Sequence, residues 1–331
     1  MSVALFTLGG TIAMGGVDTD SHGGVVARLS GAELTAAVPG LADLGAALDV
    51  RDVHAVPSAN LTFADVTGIV DAAADAVDAG ADGVVVTQGT DTLEETAFLV
   101  DLVWSRPEPF VLTGAMRNPT LAGPDGPANL LAAARTAASG AARSVGALVA
   151  FNDEIHAARW VRKTHSTSTA TFVSPNVGPL GHVIEGQVRL LTRPALRPAL
   201  PARPTTAGLA TARVALYTVS LDDDGVLLDR VADTHQGLVV AAFGVGHVPA
   251  ALAPILGGLA ERMPVVLASR TGAGSVLRQT YGAVGSETDL QRRGLINAGL
   301  LDPYKARILL RLLLAAGEDG DTIAAAFARY R

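Results

Sequence analysis

The 331-residue chain has no cysteine. That absence removes disulfides, thiolate nucleophiles, iron–sulfur clusters and Cys-type zinc sites together. Lysine is nearly missing as well: Lys163 and Lys305 are the only two, so a lysine in a functional position is conspicuous. Aromatic residues make up 4%, and the first tyrosine in the chain is Tyr217. Basic residues are outnumbered, giving a net charge of −7. Phosphate binding needs a basic face, so no nucleic-acid partner is expected and a small molecule is the better one. The histidines contain no HxxxH or HExxH spacing, and no metal site is expected. No apolar run approaches the ~20 residues that span a bilayer. The N-terminus lacks a basic region, and its apolar stretch, residues 3–8, ends at a double glycine. A signal peptide needs a longer stretch, so the expected location is the cytoplasm, with no membrane contact.

What the chain does have is a globular composition, 49% hydrophobic and 17% charged, and a length suited to two domains. Short apolar runs ending in glycine or threonine alternate with alanine-rich helical stretches. Strands are expected at 3–8, 83–87 (GVVVT), 109–113 and 145–151. Helices are expected at 61–79, 93–103 and about 127–138, the first two opened by capping boxes, Thr62/Asp65 and Thr92/Glu95. Strands that are apolar throughout and separated by helices indicate a parallel sheet covered on both faces. The rhythm stops at 191–211, where prolines 194, 198, 201 and 204 exclude a helix interior or a central strand. It restarts with strands near 213–219, 238–243 and 265–268 and helices near 226–232 and 248–262. A last clear helix opens at Asp302–Pro303 and runs to Gly317. The expected architecture is α/β: two doubly wound parallel-sheet domains, a larger one at 1–190 and a smaller one at 212–331, joined by the Pro-rich linker 191–211.

In open parallel sheets ligands bind outside the carboxyl ends of the strands, so chemistry should be sought just after each strand. Those positions hold Gly9-Gly10-Thr11, Gln88-Gly89-Thr90-Asp91 and Gly114-Ala115-Met116-Arg117. A threonine hydroxyl becomes a nucleophile when a neighbouring base takes its proton and N–H donors receive the oxyanion. Thr11 could fill that role, or it could cap the next element after a tight Gly9–Gly10 turn. Asp91 could serve the helix entrance or point at a ligand ammonium. Lys163, in the polar stretch RKTHSTSTATF, is either a solvated loop lysine or, packed against Asp91 and Thr90, a base.

The blocks TLGGTIAM, VVVTQGTDTLEETAFLV, PFVLTGAMRNP with DGPANL, and ATFVSPNVGPLG resemble, in this order, the signature blocks of the bacterial-type L-asparaginase family. LDPYKARILLRL resembles the family's end, so the resemblance spans nearly the whole chain. It implies a threonine amidohydrolase that converts L-asparagine, sometimes L-glutamine, to the acid and ammonia through an acyl-threonine, with no metal or organic cofactor. Thr11 then matches the nucleophile, and Thr90, Asp91 and Lys163 match the Thr–Asp–Lys group that activates it or the attacking water. Asp91 would also bind the substrate's α-amino group and Ser58 its carboxylate. Ala115 sits where backbone holds the reacting amide, and Gly10 and Gly89 belong to the same substrate-binding loops. A homodimer or homotetramer is implied.

Four positions depart from the family pattern. The lid after the nucleophile, residues 14–29, has no tyrosine and aligns Gly24, with Ser21 and His22 nearby, where one is usual. Ala59 stands where a glutamine is usual, and His247 where an asparagine is. Tyr281 falls where a neighbouring subunit commonly lends a glutamate, which suggests that Tyr281 supplies across the subunit interface the hydroxyl missing from the lid. Tyr281 packed into its own loop is the alternative, and Glu287 is a second candidate for the missing carboxylate.

Other readings are a catalytically weakened aspartate or asparagine sensor and a glutaminase-asparaginase of broader specificity. A subunit of a tRNA-dependent amidotransferase ranks low, because an extra N-terminal domain is expected there and the sequence starts at the first strand. No GxGxxG comes after that strand to support a dinucleotide site.

Overall fold

The computed structural model describes residues 1–17, 25–27, 29–194 and 200–331. By its internal contacts the chain divides into two compact units, Met1–Arg197 and Pro198–Arg331.

The first unit is built on strands β1 (Ser2–Thr7), β2 (Met14–Val17), β3 (Val25–Ala27), β4 (Ala47–Asp52), β5 (Gly83–Thr87), β6 (Phe110–Thr113), β7 (Ala147–Phe151) and β8 (Glu154–Ala157). Next come the short pair β9 (Arg162–Lys163) and β10 (Phe172–Val173), then the hairpin β11 (Gly181–Ile184) and β12 (Gln187–Leu190). Its helices are α1 (Gly31–Ala36), α2 (Phe63–Asp78), α3 (Leu93–Val103) and α4 (Gly126–Ala138). Eight strands form one sheet in the order β12-β11-β8-β7-β6-β5-β1-β4. From β4 to β7 all neighbours are parallel.

Alternation along those strands explains why the sequence reads as unbroken apolar runs. Val3, Leu5, Val85 and Val111 share a core with Leu130, Ala133 and Ala137 of α4 and Leu34 of α1. The intervening Ala4, Phe6, Val84 and Val86 are equally buried, on the face that α2 and α3 cover.

The purely parallel expectation needs correcting at one edge. β8, β11 and β12 run antiparallel to their neighbours. The cause is local: Asn152 and Asp153 have φ of 52° and 60°, and Glu185 and Gly186 have 49° and 77°. Two successive left-handed residues make the tight hairpin turn whose twist matches the flanking strands. Asn-Asp and Glu-Gly therefore reverse the chain where a crossover helix would have kept it parallel.

α2 opens with the Thr62/Asp65 capping box, both halves formed. α3 does not open with the expected Thr92/Glu95 box. A 3₁₀ turn over Thr90–Thr92 precedes it, leaving Thr92 at ψ 13° with no side-chain cap. The Thr92 hydroxyl donates instead to the Ser58 carbonyl at 3.0 Å.

The second unit carries four parallel strands in sequence order, β13 (Val214–Thr218), β14 (Gly237–Ala242), β15 (Val265–Ser269) and β16 (Ile296–Asn297). Its helices are α5 (Thr206–Thr211), α6 (Val231–Thr234), α7 (Leu252–Ala260), α8 (Glu287–Arg292), α9 (Pro303–Ala316) and α10 (Gly320–Ala328). α5 lies inside the segment read as linker. Thr205 caps it through the Gly208 N–H, and a Cβ on Gly208 would stand 2.0 Å from the Ala315 carbonyl of α9, so this turn is packed helix. Asp302 caps α9 and accepts from buried Lys305 Nζ at 3.0 Å, which places the second lysine in the core. Among the described residues, four helices were not expected from the sequence: the short α1, α5 and α8, and the terminal α10, capped by Asp319.

Among the described residues no helix is long and apolar enough to cross a membrane.

Candidate active site

β1 lies between β4 and β5. The chain leaves β1 for β4 on one side and returns through α2 to β5 on the other, so strand order reverses beside β1. The carboxyl ends of β1 and β5 flank that reversal, where a doubly wound sheet leaves a crevice. The first loop carries Thr11 and the second Thr90 and Asp91.

The two loops touch through glycine. Gly10 has φ +84°, and a Cβ on it would lie 2.2 Å from the Gly89 backbone nitrogen. A Cβ on Gly89 would lie 2.8 Å from Ser58 Oγ. Backbones at that separation exclude any side chain, so Gly10, Gly89 and Ser58 form one packed floor. Thr11 is the first residue of a 3₁₀ turn whose cap position is held by Gly10, so Thr11 is not the capping residue. Ser58 is buried, and its Oγ has no partner among the described residues. Ala59 is exposed beside it.

Lys163 reaches this floor from β9. Its Nζ donates to Thr90 Oγ1 at 3.0 Å and to Asp91 Oδ1 at 2.8 Å. Thr90 is buried, whereas the Asp91 side chain is 72% exposed and so keeps an oxygen open to a ligand. The solvated-loop alternative for Lys163 does not hold.

The third loop is fixed by two residues to which the sequence reading gave no site role. Asp125 accepts from the backbone N–H groups of Met116 (3.0 Å) and Arg117 (2.8 Å) and from Asn129 Nδ2 (3.1 Å). Asn129 Nδ2 also donates to the Gly114 carbonyl at 3.0 Å. Ala115 is buried in the turn they hold, against Gly126 of α4. Glu94, in the first turn of α3, accepts from the Lys163 backbone N–H at 3.0 Å.

In the second unit, His247, Tyr281 and Glu287 stand together. His247 Nε2 is 3.1 Å from Glu287 Oε2, and the His247 and Tyr281 rings meet edge-on with centroids 4.9 Å apart. Glu287 Oε1 accepts from the Thr280 and Tyr281 N–H groups at 2.8 Å each. Burial disfavours its charge, but the Tyr281 and Thr280 N–H groups and the His247 ring outweigh this and hold its carboxyl below the usual range. Glu287 is fully buried and committed to these donors, so it cannot be lent to a ligand as the sequence reading allowed. Tyr281 is half exposed. The lid positions Ser21, His22 and Gly24 lie outside the described residues. Among the described residues no group of three or more His, Asp or Glu side chains is placed to hold a metal ion.

Known proteins share this outline. Residues 2–196 match the family model described as asparaginase, N-terminal, and residues 213–327 that described as glutaminase/asparaginase C-terminal domain. The chain is 39% identical over 252 residues to a probable L-asparaginase of Deinococcus radiodurans, covering 75% of this chain and 76% of that one. It is 32% identical over 333 residues to L-asparaginase 2 of Escherichia coli, covering 99% and 93%. The crystal structure of a probable cytoplasmic L-asparaginase from Campylobacter jejuni superposes with a TM-score of 0.86 at 32% identity, covering 99% of each chain.

Proposed function

Because this chain belongs to the bacterial-type L-asparaginase family, we propose that it hydrolyses L-asparagine to L-aspartate and ammonia through an acyl intermediate on Thr11. The observation that carries this reading is Lys163 Nζ shared between Thr90 Oγ1 and Asp91 Oδ1 beside the loop of Thr11. A hydroxyl relay backed by a cation and a carboxylate is what an alcohol nucleophile requires.

In the first half-reaction Thr11 Oγ bonds to the amide carbon and the C–N bond breaks. The hydroxyl proton leaves on the departing nitrogen, which completes ammonia. In the second, water adds its oxygen to the acyl carbon, the bond from that carbon to Thr11 Oγ breaks, and one water proton returns to Oγ while L-aspartate leaves. Thr90, Asp91 and Lys163 carry protons between these oxygens. Backbone N–H groups of the glycine loops face the developing oxyanion, and the Ala115 turn holds the amide. Asp91, with its open oxygen, takes the substrate ammonium, and the unpaired Ser58 hydroxyl takes its carboxylate. A sensor of aspartate would have no use for this relay.

Tyr281 and His247 serve the same reaction from a second copy, Tyr281 contributing the hydroxyl that the lid sequence lacks. The protein acts as a cytoplasmic homo-oligomer. Support comes from the half-exposed Tyr281 ring and from the cytoplasmic description of the Campylobacter jejuni relative.

Ammonia release from L-asparagine, L-glutamine and D-asparagine, wild type beside Thr11→Ala, tests this. Thr11→Ala should lower kcat by about 10⁴-fold or more. Aspartate binding without ammonia from any amide would overturn the enzyme reading, and an unimpaired Thr11→Ala would overturn the mechanism.

A further inference from the structure

β9 is two residues long and, among the described residues, pairs only with the two-residue β10, Lys163 opposite Phe172 and Arg162 opposite Val173. The Thr164 N–H donates across the pair to the Thr171 carbonyl at 2.9 Å. So small a ribbon cannot set its own position, because isolated two-stranded pairs are marginal in water. Yet Lys163 Nζ must meet Thr90 and Asp91 at hydrogen-bond distance. Those two residues sit in the 3₁₀ turn that runs directly into α3.

The Lys163 N–H on the outer edge of β9 donates to Glu94 Oε2 at 3.0 Å. Glu94 is 7% exposed and occupies the first turn of the same α3. Arg162 Nε, the neighbouring β9 side chain, lies 3.9 Å from the same oxygen. A carboxylate there is favoured by the helix N-terminus, and its bond to a backbone N–H is charge-assisted. The element that carries Thr90 and Asp91 thereby also grips the backbone of the residue that must reach them.

We propose that Glu94 is a positioning residue: it registers β9 on α3, so that Lys163 Nζ arrives between Thr90 Oγ1 and Asp91 Oδ1. The inference rests on the catalytic reading of Lys163 and adds the residue through which that lysine is placed. Loss of Glu94 frees the Lys163 backbone to shift, and displacement of a reacting group by about 1 Å costs about 10²-fold in rate.

The test is a double-mutant cycle read by ammonia release, with hydrogen exchange as an independent measure. Glu94→Ala should lower kcat by about 10²-fold with KM little changed. Glu94→Gln keeps an oxygen acceptor and should retain most of kcat. In a Lys163→Ala background, Glu94→Ala should add little, because it acts through the lysine already removed. The full factor persisting in that background overturns the proposal, as does a Gln variant as poor as the Ala variant. Exchange at residues 162–173 should quicken in Glu94→Ala and not in Glu94→Gln, and unchanged exchange in both also overturns it. Should the wild type release no ammonia, the enzyme reading fails, while the exchange result still decides the Glu94 contact.

Discussion

Gly10 and Gly89 meet backbone to backbone: a Cβ on Gly10 would stand 2.2 Å from the Gly89 nitrogen and 2.4 Å from its Cα. Neither loop can move independently of the other at that separation. The distance between Thr11 and the Thr90–Asp91 pair is therefore set by main chain rather than by side-chain rotamers. A site built this way is preorganised before any substrate arrives.

Gly10→Ala should consequently be far worse than its single added methyl suggests. The residue needs φ +84°, and its Cβ would overlap backbone that cannot rotate away. The expected loss is at least about 2 kcal/mol from the conformation and the clash together. Urea unfolding monitored by circular dichroism measures it, and kcat should fall in the fraction that remains folded. A variant with wild-type midpoint and turnover would show that the two loops are free to part.

Asp125→Ala should loosen the Ala115 turn while leaving the Thr11 floor intact. Three donors lose their acceptor, two of them main-chain N–H groups. The stability cost should be about 2 kcal/mol. Because the Ala115 turn is read as holding the amide, KM for L-asparagine should rise more than kcat falls. Steady-state ammonia release checks this, and a pure kcat effect would count against the role given to that turn.

The parallel core of the fold was legible because β1, β5, β6 and β7 are buried on both faces, which leaves apolar runs no polar residue interrupts. The glycine and threonine strand ends were legible for the same reason, as the first polar residues after each run. The antiparallel edge was hidden in two dipeptides, Asn152-Asp153 and Glu185-Gly186, whose turn conformation decides strand direction but leaves no periodic trace. β9 was hidden because a two-residue strand has no pattern at all. Glu94 reads as one of two ordinary helix-start acids, Glu94 and Glu95. Its partner is a backbone N–H 69 residues away, and backbone atoms have no signature in a sequence.

Tyr281→Phe tests whether the exposed phenol takes part in turnover. The ring is held edge-on by His247, and His247 in turn by the buried Glu287, so removing the hydroxyl should leave the packing and the unfolding midpoint unchanged. A general acid–base or oxyanion contact is worth about 10²-fold in kcat, and a loss of that order is expected. Unchanged turnover would sink the role of Tyr281.

His156 makes the stability of the first unit sensitive to mild acid. The ring is wholly buried, with Nδ1 3.0 Å from Ser174 Oγ, while Glu154 Oε2 lies 3.1 Å from Nε2 without hydrogen-bonding to it and so does not offset the burial. Burial is the larger cause, and neighbouring His182 adds to it, in pushing its pKa down from 6.5 to about 4. Above pH 6.5 both folded and unfolded chains carry a neutral ring, and its contribution to stability is fully present. As the pH falls below 6.5 the unfolded chain takes up a proton that the native ring refuses until about 4, so stability is lost across that window. The loss attributable to this one residue is about 3 kcal/mol at its full extent. Carboxylates titrate in the same range, so the comparison must be with His156→Gln, which cannot charge. The variant should start less stable at pH 7 and close the gap with the wild type by about 2–3 kcal/mol by pH 4. Urea unfolding at half-unit pH steps measures this, and parallel curves for the two proteins would show that the buried ring is not what mild acid attacks.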